Sequence, residues 1–225
     1  MSKPRRLYHF TGPDFALDNV EKRRLKISFY DKVNDVFEMM PFDFGEDRAF
    51  RSEWRDRIRK TSKVAGFISH SRTWDVPTMW GHYAQNHKGV CYGFDVSCEV
   101  TKTEYNESFR EIDPKARNYK CALSAEIQYA QRTKSEHWKY EKEHRVFVTL
   151  SREEVIQKSL GKPLFFAKFQ DRLRLREVII GANSELESNQ FESALSGYDG
   201  VDVKTARASF RSFKIVEQKS AKLAK

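Results

Sequence analysis

Stretches of strand length and stretches of helical period are interleaved along this 225-residue chain without a regular strand–helix–strand rhythm, and that irregular order most narrows what it can fold into. Leu7–Phe10, Leu25–Phe29, Val64–Ser69, Gly89–Phe94, Glu126–Tyr129, Arg145–Leu150 and Val178–Ile180 read as strands. Asp47–Lys60 carries Phe50, Trp54 and Ile58 at four-residue spacing, the apolar stripe of a helix. Further helices are expected from Pro13 to about Arg23, capped by Thr11 or Asp14, and over Thr78–Ala84, capped by Asp75 or Thr78. Two more are expected at Arg152–Ser159 and Glu185–Leu195. The series predicts an α+β fold, a mixed or antiparallel sheet with flanking helices. No repeat or long linker interrupts it, so residues 1–216 read as a single domain followed by a basic tail, 217–225, that frays.

The charge balance, 41 Lys and Arg against 32 Asp and Glu, leaves +9 and favours anionic ligands or polyanions. Arg48, Arg51, Arg55 and Arg59 follow three- and four-residue spacing beside the apolar stripe of the Asp47–Lys60 helix. A solvated helix face is the commoner explanation. With the basic residues at 3–6 and Arg172, Arg174 and Arg176, the stripe also fits DNA or RNA as a partner. No window approaches the eighteen apolar residues of a transmembrane helix, so no membrane partner is expected. Three cysteines without C-x-x-C spacing, and a start without an apolar signal stretch, lead to the expectation of a reducing cytoplasm. His82 and His87 are five apart across a helix end and do not share a face as a zinc pair would, so no metal is expected.

Two segments carry the chemistry. "TMWGHYAQNHKGVCYGFD" (78–95) reads as helix, glycine turn and strand, with Met79 and Tyr83 facing together and Trp80 to one side. Core packing explains most of it, yet flat rings beside a glycine turn also suit a pocket for a planar ring. In "KYEKEHRVFVTL" (139–150), an extended chain puts Glu141, Glu143, Arg145, Phe147 and Thr149 on one face and His144, Val146, Val148 and Leu150 on the other. The aliphatic set identifies the core side. The charged row is then either a solvated edge or a site where Arg145 keeps a carboxylate ionised near developing positive charge.

A resemblance bears on that choice. "LYHFT" (7–11), "LKIS" and "VNDVFE" (25–28, 33–38), "GFISHS" (66–71), the 78–95 segment, "EIQYA" (126–130) and "WKYEKEHRVF" (138–147) occur in the order of the bacterial domain-of-unknown-function family 2971, which this chain resembles over roughly residues 7–181. Val33, Val36 and His70 depart from its pattern. The layout is in turn similar to the ADP-ribosyltransferase superfamily, with its DNA- and RNA-modifying toxins. That likeness implies NAD as substrate, and a toxin–antitoxin or phage-defence setting with an antitoxin or defence-system partner. It places Tyr8, His9 and Thr11 at a ribose of NAD, Ser69 or Ser71 on the middle strand, and Trp80 and Tyr83 as walls for nicotinamide. Glu141 or Glu143 becomes the late catalytic glutamate and Arg145, Arg24 or Arg72 the pyrophosphate contact. Asn34 and Asp35 either touch the cofactor or form an Asx turn leading into Phe37. Breaking the nicotinamide–ribose bond builds an oxocarbenium-like cation, which a fixed carboxylate stabilises. Two other classes remain open: a non-catalytic module binding a nucleotide or nucleic acid, and an N-glycosidic-bond hydrolase in which Glu141 and Glu143 serve water.

Overall fold

The computed structural model describes residues 5–150, 155–159, 162–169, 173–220 and 222–225. Eight strands form one sheet, in the spatial order Ile215–Glu217, Asp202–Ala208, Leu173–Ile180, Val90–Val96, Arg5–Thr11, Ala65–Ser71, Glu143–Thr149 and Thr101–Lys102. Leu173–Ile180 and Asp202–Ala208 run parallel and the other neighbours antiparallel, so the sheet is mixed and the fold is α+β.

Period-two alternation sorts the strands onto two cores. Leu7, Val90, Tyr92, Phe94, Val178 and Ile180 point to the face covered by the helices Ala16–Glu21 and Ser188–Ala194. Phe10, Cys91 and Ile179 point to the other, where Met79 and Trp80 of the helix Pro77–Tyr83 pack. The helix Arg48–Thr61 buries Phe50, Trp54 and Ile58 as its spacing required, in a third cluster with Phe42, Phe44 and Phe67. Asp47 caps it, accepting from the Phe50 N–H at 2.8 Å. Burying Trp54 strands its indole N–H, which donates to the Met39 carbonyl at 2.7 Å and fastens the loop before the helix.

Several expectations are corrected. Glu126–Tyr129 lies within a helix, Lys120–Arg132, whose buried Glu126 and Ala130 are four apart; Glu126 is held by Arg110 and by the Asp113 N–H. In place of the helix expected at Arg152–Ser159, Val155–Ser159 is a strand paired with Lys162–Lys168, while residues 152–154 and Arg172 lie outside the described residues. Lys162–Lys168 also pairs with Arg24–Lys26, and the strand expected at Leu25–Phe29 continues only as a bridge from Ser28 to Phe67. Neither Thr11 nor Asp14 caps the first helical segment, because Pro13 opens a single 3-10 turn behind Gly12. Asp75 and Thr78 do not cap Pro77–Tyr83; the Asp75 carboxylate is taken by Lys214 and Thr73. In the tail, the Lys225 N–H donates to Thr205 Oγ1 at 2.9 Å and its ammonium to the Ala182 and Ser184 carbonyls.

One defect in the sheet positions everything that follows. Arg5–Thr11 pairs with Val90–Val96 along its whole length, and Ala65–Ser71 does the same with Glu143–Thr149. Between Arg5–Thr11 and Ala65–Ser71, however, register is kept only at Tyr8 and Ser71, and the two strands then part. His9 enters the gap, its Nδ1 2.9 Å from the Ser69 carbonyl, so a side chain replaces a lost ladder bond. Gly89, just before the strand Val90–Val96, lies so close to the Thr11 carbonyl that any Cβ would collide with it.

Candidate functional site

The cleft in the split has a volume of ≈ 130 Å³. Tyr8, His9, Asn34, Ser69, Ser71, Tyr83, Glu143 and Arg145 line it, all named from the sequence, together with Glu38, His70, Met79 and Lys134, which were given no role there. An apolar cavity of about 150 Å³ holds one benzene ring, so this space is too small for a whole dinucleotide.

The floor is a buried charge network. Arg145 forks onto Glu38 at 2.6 and 2.9 Å and reaches Glu143 at 3.0 Å. On the neighbouring strand the ring of Phe67 lies against it, with the guanidinium 4.3 Å from the ring centre. Lys134 pairs with Glu141 at 2.6 Å and stands 3.8 Å from Glu143. The charged row is therefore no solvated edge, since Glu143 and Arg145 are 3% and 1% exposed, while Phe147 at the far end of the same face is 40% exposed. Across the whole cluster three carboxylates, Glu38, Glu141 and Glu143, meet the two cations Lys134 and Arg145.

Glu143 is the most constrained member. Ser69 Oγ donates to one oxygen at 2.6 Å, Thr103 Oγ1 and Arg145 to the other at 3.2 and 3.0 Å, and the Glu143 backbone N–H donates to Tyr105 Oη at 2.7 Å. A carboxylate offers about four lone-pair sites, so roughly one is left for a ligand. Burial pushes this carboxyl up, but the charges of Arg145 and Lys134 and the bonds from Arg145 and Ser69 hold it at about 2. Glu141 and Glu38 go the other way, raised by burial against Lys134 and Arg145 respectively. The environments thus part the two glutamates of the row, Glu143 staying ionised and Glu141 retaining its proton to higher pH.

Several sequence readings are corrected here. Glu141 closes the 3-10 turn Glu136–Glu141 instead of sharing the strand face, and its carboxylate is taken by Lys134 and the Tyr83 hydroxyl outside the cleft wall. Trp80 is fully buried, edge-on to Phe10, with its N–H on the Trp74 carbonyl at 2.7 Å; Met79 and Tyr83 form the aromatic helix's contribution to the cleft. Thr11 does not line the cleft and pairs in the ladder with Val90. Asp35 forms the Asx turn, accepting from the Phe37 N–H at 2.9 Å, while Asn34 stays at the cleft with Nδ2 3.3 Å from Tyr83 Oη. Arg145 is consumed by its two glutamates, and Arg24 is 1% exposed and paired with Asp18, so neither is placed for a pyrophosphate; Arg72 is exposed and donates to the Arg6 carbonyl.

Glu38 and Lys134 were missed because each stands alone in sequence. The only signal was indirect: an arginine that leads into the apolar end of its strand needs counterions when buried. The arginines of the Arg48–Thr61 helix lie beside its buried face, and none of them lines the cleft. Arg59 pairs with Asp56, while Arg117 takes up Asp47 and Glu53 and leaves Arg48, Arg51 and Arg55 as the helix's outward charge. Arg6 and Arg176 share Asp95, and Arg174 pairs with Asp199, which reduces the remaining basic surface. Among the described residues no group of His, Cys, Asp and Glu is arranged to hold a metal ion.

His70 has a distinct consequence. It is 1% exposed, its ring lies 5.7 Å from that of His9 and edge-on to Phe94, and neither nitrogen has a hydrogen-bond partner in the protein. Burial, helped by His9, lowers its pKa to about 3. The unfolded chain therefore binds a proton near pH 6.5 that the folded chain refuses, and stability falls as pH drops below that value. Between pH 8 and pH 5 this one residue is expected to cost about 2 kcal/mol. His70→Phe removes the unpaired nitrogens and should flatten that part of the pH profile, as chemical-denaturation midpoints at the two pH values will show. An unchanged acid slope would contradict the assignment.

No helix among the described residues is long and apolar enough to cross a membrane. No curated protein and no solved structure matches the chain. Residues 79–146, which run from Met79 at the cleft wall through Lys134, Glu143 and Arg145 at its floor, match the model of a family described as protein of unknown function, DUF2971, and the resemblance read from the motifs is borne out over that segment.

Proposed function

We propose that the split in the sheet takes the nicotinamide–ribose end of NAD and that the chain is an ADP-ribosyltransferase-like enzyme. The observation that carries this reading is Glu143, an ionised carboxylate fixed by Ser69, Thr103 and Arg145 at the floor of the cleft. Such a group stabilises positive charge that develops at a ribose carbon, and it does so without reorganising. The C1′–N bond breaks, its electron pair leaves with nicotinamide as a neutral ring, and the cationic carbon is taken by an acceptor nucleophile.

The remaining residues fit supporting roles. The Nδ1 of His9 faces the Ser69 carbonyl and so carries the proton, leaving Nε2 as an acceptor for a ribose hydroxyl; burial keeps the ring neutral against the opposing pull of that bond. Tyr83 and Met79 supply wall for the departing ring. The space is too small for the whole dinucleotide, so the adenosine end lies outside it. Nucleic acid is the acceptor class favoured by the net charge and by Arg48, Arg51 and Arg55. The toxin or defence setting, with its antitoxin partner, extends the same reading.

Nicotinamide release from NAD, followed by chromatography with and without DNA, RNA or protein acceptors, tests this. Release that needs an acceptor supports the transferase, and equal release without one supports hydrolysis of the N-glycosidic bond. NAD binding without release under any condition points to the binding module, and neither binding nor release overturns the proposal.

A further inference from the structure

We propose that the turn joining the strands Asp202–Ala208 and Ile215–Glu217 is a docking site for single-stranded nucleic acid, a surface independent of the cleft and of its reading. Phe210 and Phe213 are 90% and 101% exposed, the most exposed aromatic side chains among the described residues. Fully solvated phenylalanines in a folded chain forgo burial that would stabilise them, so a tip carrying two is a contact surface.

The chemistry around the rings selects the partner. Residues 206–216, "ARASFRSFKIV", hold Arg207, Arg211 and Lys214 and no acidic residue; Lys214 is paired with Asp75, so Arg207 and Arg211 make the tip complementary to a polyanion. The Arg207 guanidinium lies 4.7 Å from the Phe210 ring centre. A flat base can stack on the remaining face of that ring while the cations meet phosphates. A lipid surface suits this arrangement less well, because inserting Phe210 would draw the Arg207 cation into hydrocarbon with it. The tip is also held in shape. The Ser209 N–H donates to the Lys214 carbonyl at 2.9 Å, the Ser209 hydroxyl oxygen accepts from the Arg211 N–H at 3.2 Å, and Lys214 is anchored on Asp75 at 2.7 Å. A preset platform loses little entropy on binding.

Fluorescence anisotropy with a short labelled single-stranded oligonucleotide, the matching duplex, and vesicles containing phosphatidylserine tests the proposal on the full chain. The wild type should bind the single strand more tightly than the duplex. A double variant, Phe210→Ser with Phe213→Ser, should weaken single-strand binding about tenfold or more, because stacking on an aromatic side chain is lost at each ring. Its thermal melt should match the wild type, since the rings contribute nothing to the core. Arg211→Glu should weaken binding and lower its salt dependence. The proposal is overturned by any of four results: no single-strand binding, binding that the double variant leaves intact, equal binding of duplex and single strand, or loss confined to vesicles. Loss of binding only in Arg51→Glu with Arg55→Glu would move the site to the helix face and equally overturn it.

Discussion

Glu143→Gln is expected to lower nicotinamide release by about 10²–10³-fold, roughly 3–4 kcal/mol in the barrier, while NAD binding measured by calorimetry stays near that of the wild type. Glutamine keeps the shape and one acceptor oxygen, so Ser69 retains a partner and the change isolates charge from packing. The variant should also fold. The cluster holds Glu38, Glu141 and Glu143 against Lys134 and Arg145, and removing one carboxylate charge leaves it balanced. Glu141→Gln should have the smaller effect, because that carboxyl is engaged by Lys134 and Tyr83 outside the cleft. Full activity in Glu143→Gln would remove the carboxylate from the chemistry.

Arg145→Leu should produce the largest loss of stability, about 3–5 kcal/mol, because it strands Glu38 as an unpaired buried charge and leaves Glu143 only the more distant Lys134. Whole domains of this kind have about 5–15 kcal/mol to lose. Glu38→Gln is expected to cost much less, since the remaining two carboxylates still balance the two cations. Arg145→Lys should not rescue, because an ammonium cannot reproduce the fork onto Glu38. Urea midpoints for the three variants decide this. A midpoint for Arg145→Leu within about 1 kcal/mol of the wild type would show that the network is not held by charge compensation. Because Glu38 ties the loop carrying Val33 and Asn34 to the sheet, faster amide exchange in that loop should accompany the loss.

These expectations also mark how far the sequence could be read. Leu7–Phe10, Gly89–Phe94 and the Phe50–Trp54–Ile58 stripe were legible because a period of two or of 3.6 is imposed by one buried face and needs no distant partner. Glu126–Tyr129 misled because a four-residue window of strand-forming residues is too short to show the four-residue spacing of Glu126 and Ala130. Val155–Ser159 misled because its state is set by pairing with Lys162–Lys168. In the cleft, helical spacing had grouped Met79 with Tyr83 and set Trp80 aside, and the geometry keeps that grouping; the aromatic reading that favoured Trp80 ignored its direction. The Glu143–Arg145 row was visible, but its burial was not, since that depends on Glu38 and Lys134 arriving from elsewhere in the chain. The split itself has no sequence signal, because it is a pairing that fails to form beyond Tyr8 and Ser71.

The most direct measurement is a crystal structure of Glu143→Gln with NAD bound, in which the slowed bond cleavage keeps the dinucleotide whole. The nicotinamide ring is expected in the split against Tyr83 and Met79, with a ribose hydroxyl within hydrogen-bond distance of the position 143 side chain and the adenosine outside. NAD seated away from the split, with that side chain still enclosed by Ser69, Thr103 and Arg145 alone, would contradict this placement.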